Sequence, residues 1–334
     1  MKTINILCGD NCVGSSLVAL IDFVQFSNTF WKFLHPNCDE PVFAYKVYSA
    51  SGESVTFSNG IIVPAIPVAV YQPADAVCVV SGFARDKQAL TEYLHTMKPF
   101  MPILQSEKQK GALIASYCTG TFVLAHSGIL ASGPATTVWW LKNVFTGYFP
   151  EIQLTMDELV VEHENVITGG ATTSHFNVFM RLAEKLSNEI FITQLSKLLL
   201  LDKHRLSQQP FIDNMLMINK HDELVEDVQD WMMQHFAESI SLDEICEQFA
   251  VSKRTLIRRF KNACGETPLN FLQKVRVEKA KHYLETTNLP IERIVEKVGY
   301  EDSASFRKLF ANTTQLSPKA YRERFSYHPS MQFG

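Results

Sequence analysis

Short apolar runs separated by turn residues dominate the first 190 positions. Residues 3–8, 42–49, 76–81 and 112–116 are rich in Val, Ile, Leu and aromatics and are bounded by Gly, Asp, Asn or Ser, which predicts strands. Residues 16–33 and 87–105 carry apolar positions at helical spacing instead. Alternation of this kind predicts a mostly parallel sheet with helices on both faces. A later pair, 159–163 and 166–168, flanks Glu164-Asn165 and predicts a hairpin, followed by helices near 174–186 and 189–201. The polar stretch DKHRLSQQP (202–210) ends this pattern and predicts a domain boundary. Beyond it the periodicity is helical throughout.

The helical part repeats itself. Ser241-Leu242-Asp243-Glu244 has the residues of a capping box, in which the hydroxyl and the carboxylate satisfy free amides at a helix start. Leu242, Ile245 and Phe249 follow as an apolar face, 250–252 as a turn, and 253–263 as a second helix. Forty-nine residues later Pro290 stands at the place of Ser241, where proline suits a first helical turn, and Ile291, Ile294 and Val298 repeat the apolar face. Past the turn the offset becomes 50: Leu256/Phe306, Phe260/Phe310, Asn262/Asn312, Thr267-Pro268/Ser317-Pro318 and Phe271/Tyr321 all pair. Matches at offsets of 49 and 50 on the two sides of a turn predict two helix-turn-helix units with one residue inserted at the turn, joined by a helix over 269–284.

Charge sharpens this picture. The 334-residue chain is nearly balanced, with 31 Lys+Arg against 35 Asp+Glu. Residues 1–250 hold 15 basic and 27 acidic side chains, whereas 251–334 hold 16 and 8. A basic end on an acidic chain points to an anionic partner for that end alone. The acidic segment 211–250 (1 basic, 10 acidic) is charged to dock against it. The most apolar stretch, 61–70, contains Pro64 and Pro67 and falls far short of the ~20 residues of a membrane helix. The first strand is too short for a signal peptide. Seven cysteines without paired spacing fit a reduced, cytoplasmic protein, and ten dispersed histidines show no metal spacing. Gly169-Gly170 lacks the further residues of a phosphate loop, so no cofactor is expected.

A helix-turn-helix braces with its first helix and lays the second in the major groove of double-stranded DNA. In the second helix of the first unit, Leu256, Ile257 and Phe260 face the core. Lys253, Arg254, Thr255, Arg258 and Arg259 are left for DNA. Arg bonds guanine bidentately, and both cations neutralise phosphates. The second unit offers Ser303, Ser305, Arg307 and Lys308, and the joining helix carries Lys274, Arg276, Lys279 and Lys281. Residues 225–326, with the runs FKNACGETPLNFLQKVRVEKAKHYL, VGYEDSASFRKLF and SPKAYRERF, resemble the AraC/XylS family of transcription regulators. The resemblance implies seven helices and two successive major-groove contacts on one DNA face. Ala250 departs from it, standing where many members have Gly.

One motif in the first part carries chemistry. Leu113–Gly120 reads as strand, tight turn and helix, with Cys118 at the turn. A helix N-terminus favours a thiolate there, and the turn offers amides to an oxyanion or a carboxylate ligand. This run, with GILASGPATTVWW and VITGGATTSHF, resembles the PfpI/ThiJ-like (class I glutamine amidotransferase-like) superfamily, and within it the GlxA-type regulators, which carry an AraC-type tail. That implies a flavodoxin-like α/β sandwich followed by an all-α domain with two helix-turn-helix units. Catalytic members need the Cys, an acid near the first helix and usually a His. Here Val138 stands where the regulators commonly have His in a Thr-Thr-His-Trp stretch. Ser15-Ser16 carries no acid, and Asp22 lies almost two turns further on. His126, two turns along the elbow's own helix, points elsewhere. Cys118 then reads as vestigial, at a ligand pocket lined by Asn11, Ser16, Ser81, Gly82, Phe83, Tyr117, Cys118, Thr119, Val138 and Trp139.

The expected organisation is a ligand-sensing or dimerisation domain over 1–205, a linker over 206–220 and a DNA-binding domain over 221–328. The expected function is a homodimeric, effector-controlled transcription regulator. The alternatives are a Cys-dependent hydrolase or amidase with a DNA-binding appendix, and a purely structural dimerisation domain.

Overall fold

The computed structural model describes residues 1–326 except Ser51, Glu53, Arg85, Ala131, Ser132, His204 and 214–221. Residues 214–220 of the expected linker, and 221, 327 and 328 of the expected DNA-binding domain, lie outside the described residues. The chain divides into two compact units, Met1–Gln208 and Gln209–Gly334.

In the first unit β1 (Lys2–Leu7) leads to α1 (Gly14–Leu34) and β2 (Phe43–Ser49). Three short strands follow, β3 (Ser54–Thr56), β4 (Ile62–Pro64) and β5 (Ile66–Pro67), then β6 (Ala76–Val79), α2 (Lys87–Met97) and α3 (Met101–Gln109). After β7 (Leu113–Tyr117) come α4 (Gly120–His126), β8 (Pro134–Ala135), α5 (Lys142–Tyr148) and β9 (Gln153–Leu154). The unit closes with β10 (Val160–His163), β11 (Val166–Gly169), α6 (His175–Leu186) and α7 (Glu189–Leu198). Seven strands form one sheet in the order β10-β11-β7-β6-β1-β2-β5, parallel except for the β10–β11 hairpin. The inner strands β6, β7 and β11 are almost wholly buried, as strands covered on both faces must be.

Two expectations change. The helix expected over 87–105 breaks into α2 and α3 around a 3-10 turn at Lys98–Phe100, because Pro99 and Pro102 lack the amides a continuous helix needs. The helix expected to reach 201 ends at Leu198, and Leu200 turns left-handed (φ 54°).

The second unit contains seven α-helices among its described residues: α8 (Glu223–His235), α9 (Leu242–Gln248), α10 (Lys253–Cys264), α11 (Pro268–Thr286), α12 (Ile291–Lys297), α13 (Ser303–Thr314) and α14 (Pro318–Phe325). The pairs α9/α10 and α12/α13 are the two helix-turn-helix units. Each has its own core: Val225, Val228, Met232, Ile245, Leu256 and Phe260 in the first, and Leu284, Ile294, Val298, Phe306 and Phe310 in the second. The central α11 contributes Phe271, Leu272 and Val275 to one and Val277, Ala280 and Leu284 to the other. Pro290 stands at the place of Ser241, as the residue before α12, which is one place outside the first helical turn, and it has no capping side chain.

Candidate DNA-binding surface and the elbow of the N-terminal unit

Local chemistry places the first reading helix. Glu244 N donates to Ser241 Oγ (3.2 Å) while Ser241 N donates to Glu244 Oε2 (2.6 Å), so the capping box starts α9. Ala250 adopts φ 49° in the turn, the left-handed region that favours glycine. Ser252 then caps α10 by accepting from Thr255 N (3.3 Å). Leu256 and Phe260 bury one face. Arg254, Arg258 and Lys261 are exposed at i, i+4 and i+7, which is a single row on the opposite side. None of the three has a hydrogen bond or ion pair among the described residues. In the second unit Gly299 makes the turn at φ 79°, Asp302 caps α13 through Ala304 N and Ser305 N, and Lys308 is exposed and unpaired among the described residues.

The other expected DNA residues are already engaged. Asp222 accepts from Arg259 Nε (2.8 Å to Oδ2) and Nη2 (2.5 Å to Oδ1), a fork that ties α10 to the start of α8. Arg259's hydrogen bonds hold the Asp222 carboxyl below the usual carboxylate range. Lys253 pairs with Asp243 (2.5 Å) and Arg307 with Glu292 (2.7 Å), so in each unit a carboxylate of the bracing helix holds a cation of the reading helix. Ser305 Oγ donates to Asp302, Thr255 Oγ1 accepts from Ser252, and Ser303 is half-buried. On α11, Lys274 pairs with Glu266, Arg276 donates to the carbonyls of Phe236 and Glu238, Lys279 lies over the Phe236 ring, and Lys281 is buried. Much of the basic excess is therefore spent inside the unit. The acidic segment 211–250, expected to dock against the basic part in the absence of effector, supplies α8 and α9 of this same unit, where Asp222 and Asp243 make those pairs. Lys261 is absent from the residues expected to meet DNA, although its spacing to Arg254 and Arg258 is the signal that puts it on their row.

At the sheet edge, Cys118 follows β7 with φ 53°, a strained left-handed turn. Gly120 is required behind it, since a Cβ would approach the Val79 carbonyl to 2.9 Å. The elbow is closed. Cys118 N donates to the Gly169 and Gly170 carbonyls (3.0 and 2.8 Å), so this amide is not free for an oxyanion. The side chain is 4% exposed, and burial pushes its thiol up to about 11 against the weaker opposing pull of Thr119 and Thr172. Desolvation thus reverses the thiolate expected from the helix terminus. Thr137 Oγ1 donates to the Cys118 carbonyl, Thr119 Oγ1 to the Gly82 carbonyl and Ser16 Oγ to the Val13 carbonyl. Tyr117 packs against His175 and Phe179, and Val138 is wholly buried. His126 turns away, its Nδ1 donating to the Phe122 carbonyl and its ring edge-on to Phe149.

Of the ten residues expected to line a ligand pocket, Ser16, Ser81, Gly82, Tyr117, Cys118, Thr119 and Val138 are closed from solvent, Trp139 is half-exposed, and Asn11 and Phe83 are exposed. The reason is packing: the Gly82 backbone lies so close to the Tyr93 ring that a Cβ would stand 2.2 Å from it. An open cavity of about 260 Å³ lies nearby, lined by Asp10, Asn11, Ser58, Phe83, Ala89, Glu92, Tyr93 and Thr96. It sits beyond the carboxyl ends of β1 and β6, where the chain's path through the sheet changes direction. Burial predicts that iodoacetamide at neutral pH alkylates Cys38, which is partly exposed, well before Cys118 in the folded protein. Peptide mass spectrometry after timed labelling checks this. Equal rates would show that the elbow opens.

A DJ-1/PfpI family model matches residues 46–185, and a helix-turn-helix domain model matches residues 245–324. Over most of its length the chain is similar to the HTH-type transcriptional regulator CdhR of Pseudomonas aeruginosa, 24% identical over 295 residues, covering 86% of this chain and 81% of CdhR. The chain thus joins a DJ-1/PfpI-like domain to an AraC-type helix-turn-helix domain, the architecture of the transcription regulators it resembles. The regulator's DNA-binding part is also similar to the HTH-type transcriptional activator RhaS of Escherichia coli, 36% identical over 93 residues, which are 28% of this chain and 34% of RhaS. Its N-terminal fold matches a solved Vibrio parahaemolyticus protein (TM-score 0.51, 18% identity, covering 59% of this chain and 98% of that one). The regulator thus joins a flavodoxin-like α/β unit to a helical DNA-binding unit. No described helix is long and apolar enough to cross a membrane.

Proposed function

We propose that the regulator's N-terminal unit is a non-catalytic sensor, and that its effector is a small polar molecule held beside Asn11 and Phe83. The closed elbow carries this reading. A nucleophilic cysteine needs access and a proton acceptor, whereas Cys118 is buried and protonated at neutral pH, with no carboxylate or imidazole bonded to it among the described residues. The open cavity supplies what the elbow lacks: polar groups, an exposed aromatic ring (Phe83, 60%) and space for a compact ligand. DNA contact falls to Arg254, Arg258, Lys261 and Lys308. The protein acts as a homodimer, for which the exposed Phe26 and Phe33 on α1 and Ile190 on α7 provide apolar surface.

A thermal-shift screen of small metabolites tests the sensor. A true effector at a hundred times its Kd stabilises the native state by about 2.7 kcal/mol, and Phe83→Ala is expected to abolish that shift while Cys118→Ala keeps it. Turnover of an amide or ester that disappears in Cys118→Ala would instead establish the hydrolase reading.

A further inference from the structure

The chain leaving Gln208 does not run free before the DNA-binding helices begin. Gln209–Phe211 forms a 3-10 turn that packs against α13, the second reading helix. Phe211 meets Phe325 of α14 edge-on at 5.2 Å, and the Arg324 guanidinium lies over the Phe211 ring at 5.2 Å. The next residue carries the main fastening. Lys281 of α11 is 6% exposed, and its ammonium donates to the Ile212 carbonyl (2.6 Å) and to Glu278 Oε2 (2.9 Å). A buried ammonium needs its acceptors, so lifting the segment away would strip Lys281 of one of them. A cavity of about 540 Å³, bordered by Pro210, Phe211, Asp213, Met233, Lys281 and Tyr321, leaves the segment only partly packed. Asp222, the residue that caps α8, separately grips Arg259 of the first reading helix.

We propose that residues 209–213 and Asp222 form a strap with two anchors, one on each helix-turn-helix unit, which sets the position of both reading helices. Lys281 and Arg259 are its positioning residues. Docking of the front anchor and DNA binding are coupled, and the coupling is reciprocal: DNA tightens the strap, and a loosened strap weakens DNA binding. This goes beyond effector sensing and holds with or without an effector.

Hydrogen exchange by mass spectrometry on the full chain tests it, with and without a DNA duplex bearing a site recovered by genomic footprinting. In the unaltered protein the duplex is expected to slow exchange across 209–213. Lys281→Met made together with Glu278→Leu removes both charges of the buried pair, so the unit's melting temperature is expected to be held. The same variant is expected to speed exchange of 209–213 about tenfold and to weaken the duplex by roughly fivefold or more. A residue needed only for stability would move these readouts together with the melting temperature. Phe211→Ala loosens the same anchor from the other side and serves if the double variant misfolds. Lys319→Met, on an exposed face of α14, should change nothing. If DNA leaves the exchange of 209–213 unaltered, or both anchor variants bind the duplex as tightly as the unaltered protein, the strap has no role. That result would leave the sensor reading untouched, since no effector enters the experiment.

Discussion

Arg258→Ala is expected to weaken operator binding by about 1–3 kcal/mol if it contacts a base, and to reduce the salt slope by about 1 if it contacts a phosphate. Arg258 lies at the centre of the exposed row Arg254, Arg258, Lys261 on α10, and nothing in the described residues competes for its guanidinium. The neighbouring arginine should behave differently. Arg259 is held by the Asp222 fork, so Arg259→Ala is expected to lower thermal stability modestly and leave the salt slope alone. Asp222→Asn is the informative partner. Asn is also a strong N-cap, so α8 keeps its first turn while Arg259 loses its ion pair. The freed guanidinium is expected to raise non-specific affinity at low salt and steepen the salt dependence by about 1. Titrations of operator and unrelated duplexes over a salt series separate the cases. An Arg259→Ala slope that fell as in Arg258→Ala would return Arg259 to the DNA surface.

Gly299→Ala should disable the second helix-turn-helix. The position has φ 79°, where an L side chain costs about 1–2 kcal/mol. The added Cβ would also stand 2.6 Å from the Ala237 carbonyl oxygen, which is backbone and cannot swing aside. Relieving such an overlap costs about 1–3 kcal/mol more, so the sum is roughly 2–5 kcal/mol, and the melting temperature of a domain this size should fall by about 8 °C or more. The equivalent turn of the first unit gives the opposite sign. Ala250 already occupies the left-handed region at φ 49° and is exposed. Ala250→Gly relieves about 1–2 kcal/mol there and forfeits about 0.5–1 kcal/mol through the looser unfolded chain. The net expectation is a small gain, read by chemical denaturation of both variants side by side. A harmless Gly299→Ala would mean that the two turns are not equivalent in the way the repeat implies.

Ala250 stands where the repeat places Gly299 in the second unit, which the residue order makes plain, and its backbone keeps the left-handed conformation regardless. Other features were legible for the same kind of reason. The capping box at Ser241, the Thr267-Pro268 and Ser317-Pro318 helix starts and the apolar faces repeated at 49 and 50 residues all act within a turn or two of chain. So do the proline break between α2 and α3, which the periodicity alone missed, and the tight turn at Cys118.

Composition also located the basic end, yet it could not say which cations are free. Arg259 is neutralised by a carboxylate 37 residues away, Arg307 by one 15 residues away, and Lys281 is buried under a carbonyl 69 residues away. The elbow's closure likewise depends on Gly82, Thr137, Gly169 and Gly170, which the sheet brings to Cys118 from other strands and loops. By itself the sequence determined the two architectures, the duplicated helix-turn-helix and the place of the elbow, because propensity, capping and periodicity are local properties of the chain. Only the tertiary structure decided which reading-helix cations stay unpaired among the described residues, that the cysteine is shut away and that residues 209–212 are fastened to the second helix-turn-helix unit. Burial and ion pairing depend on which distant groups the fold sets side by side, and a count along the chain does not contain that.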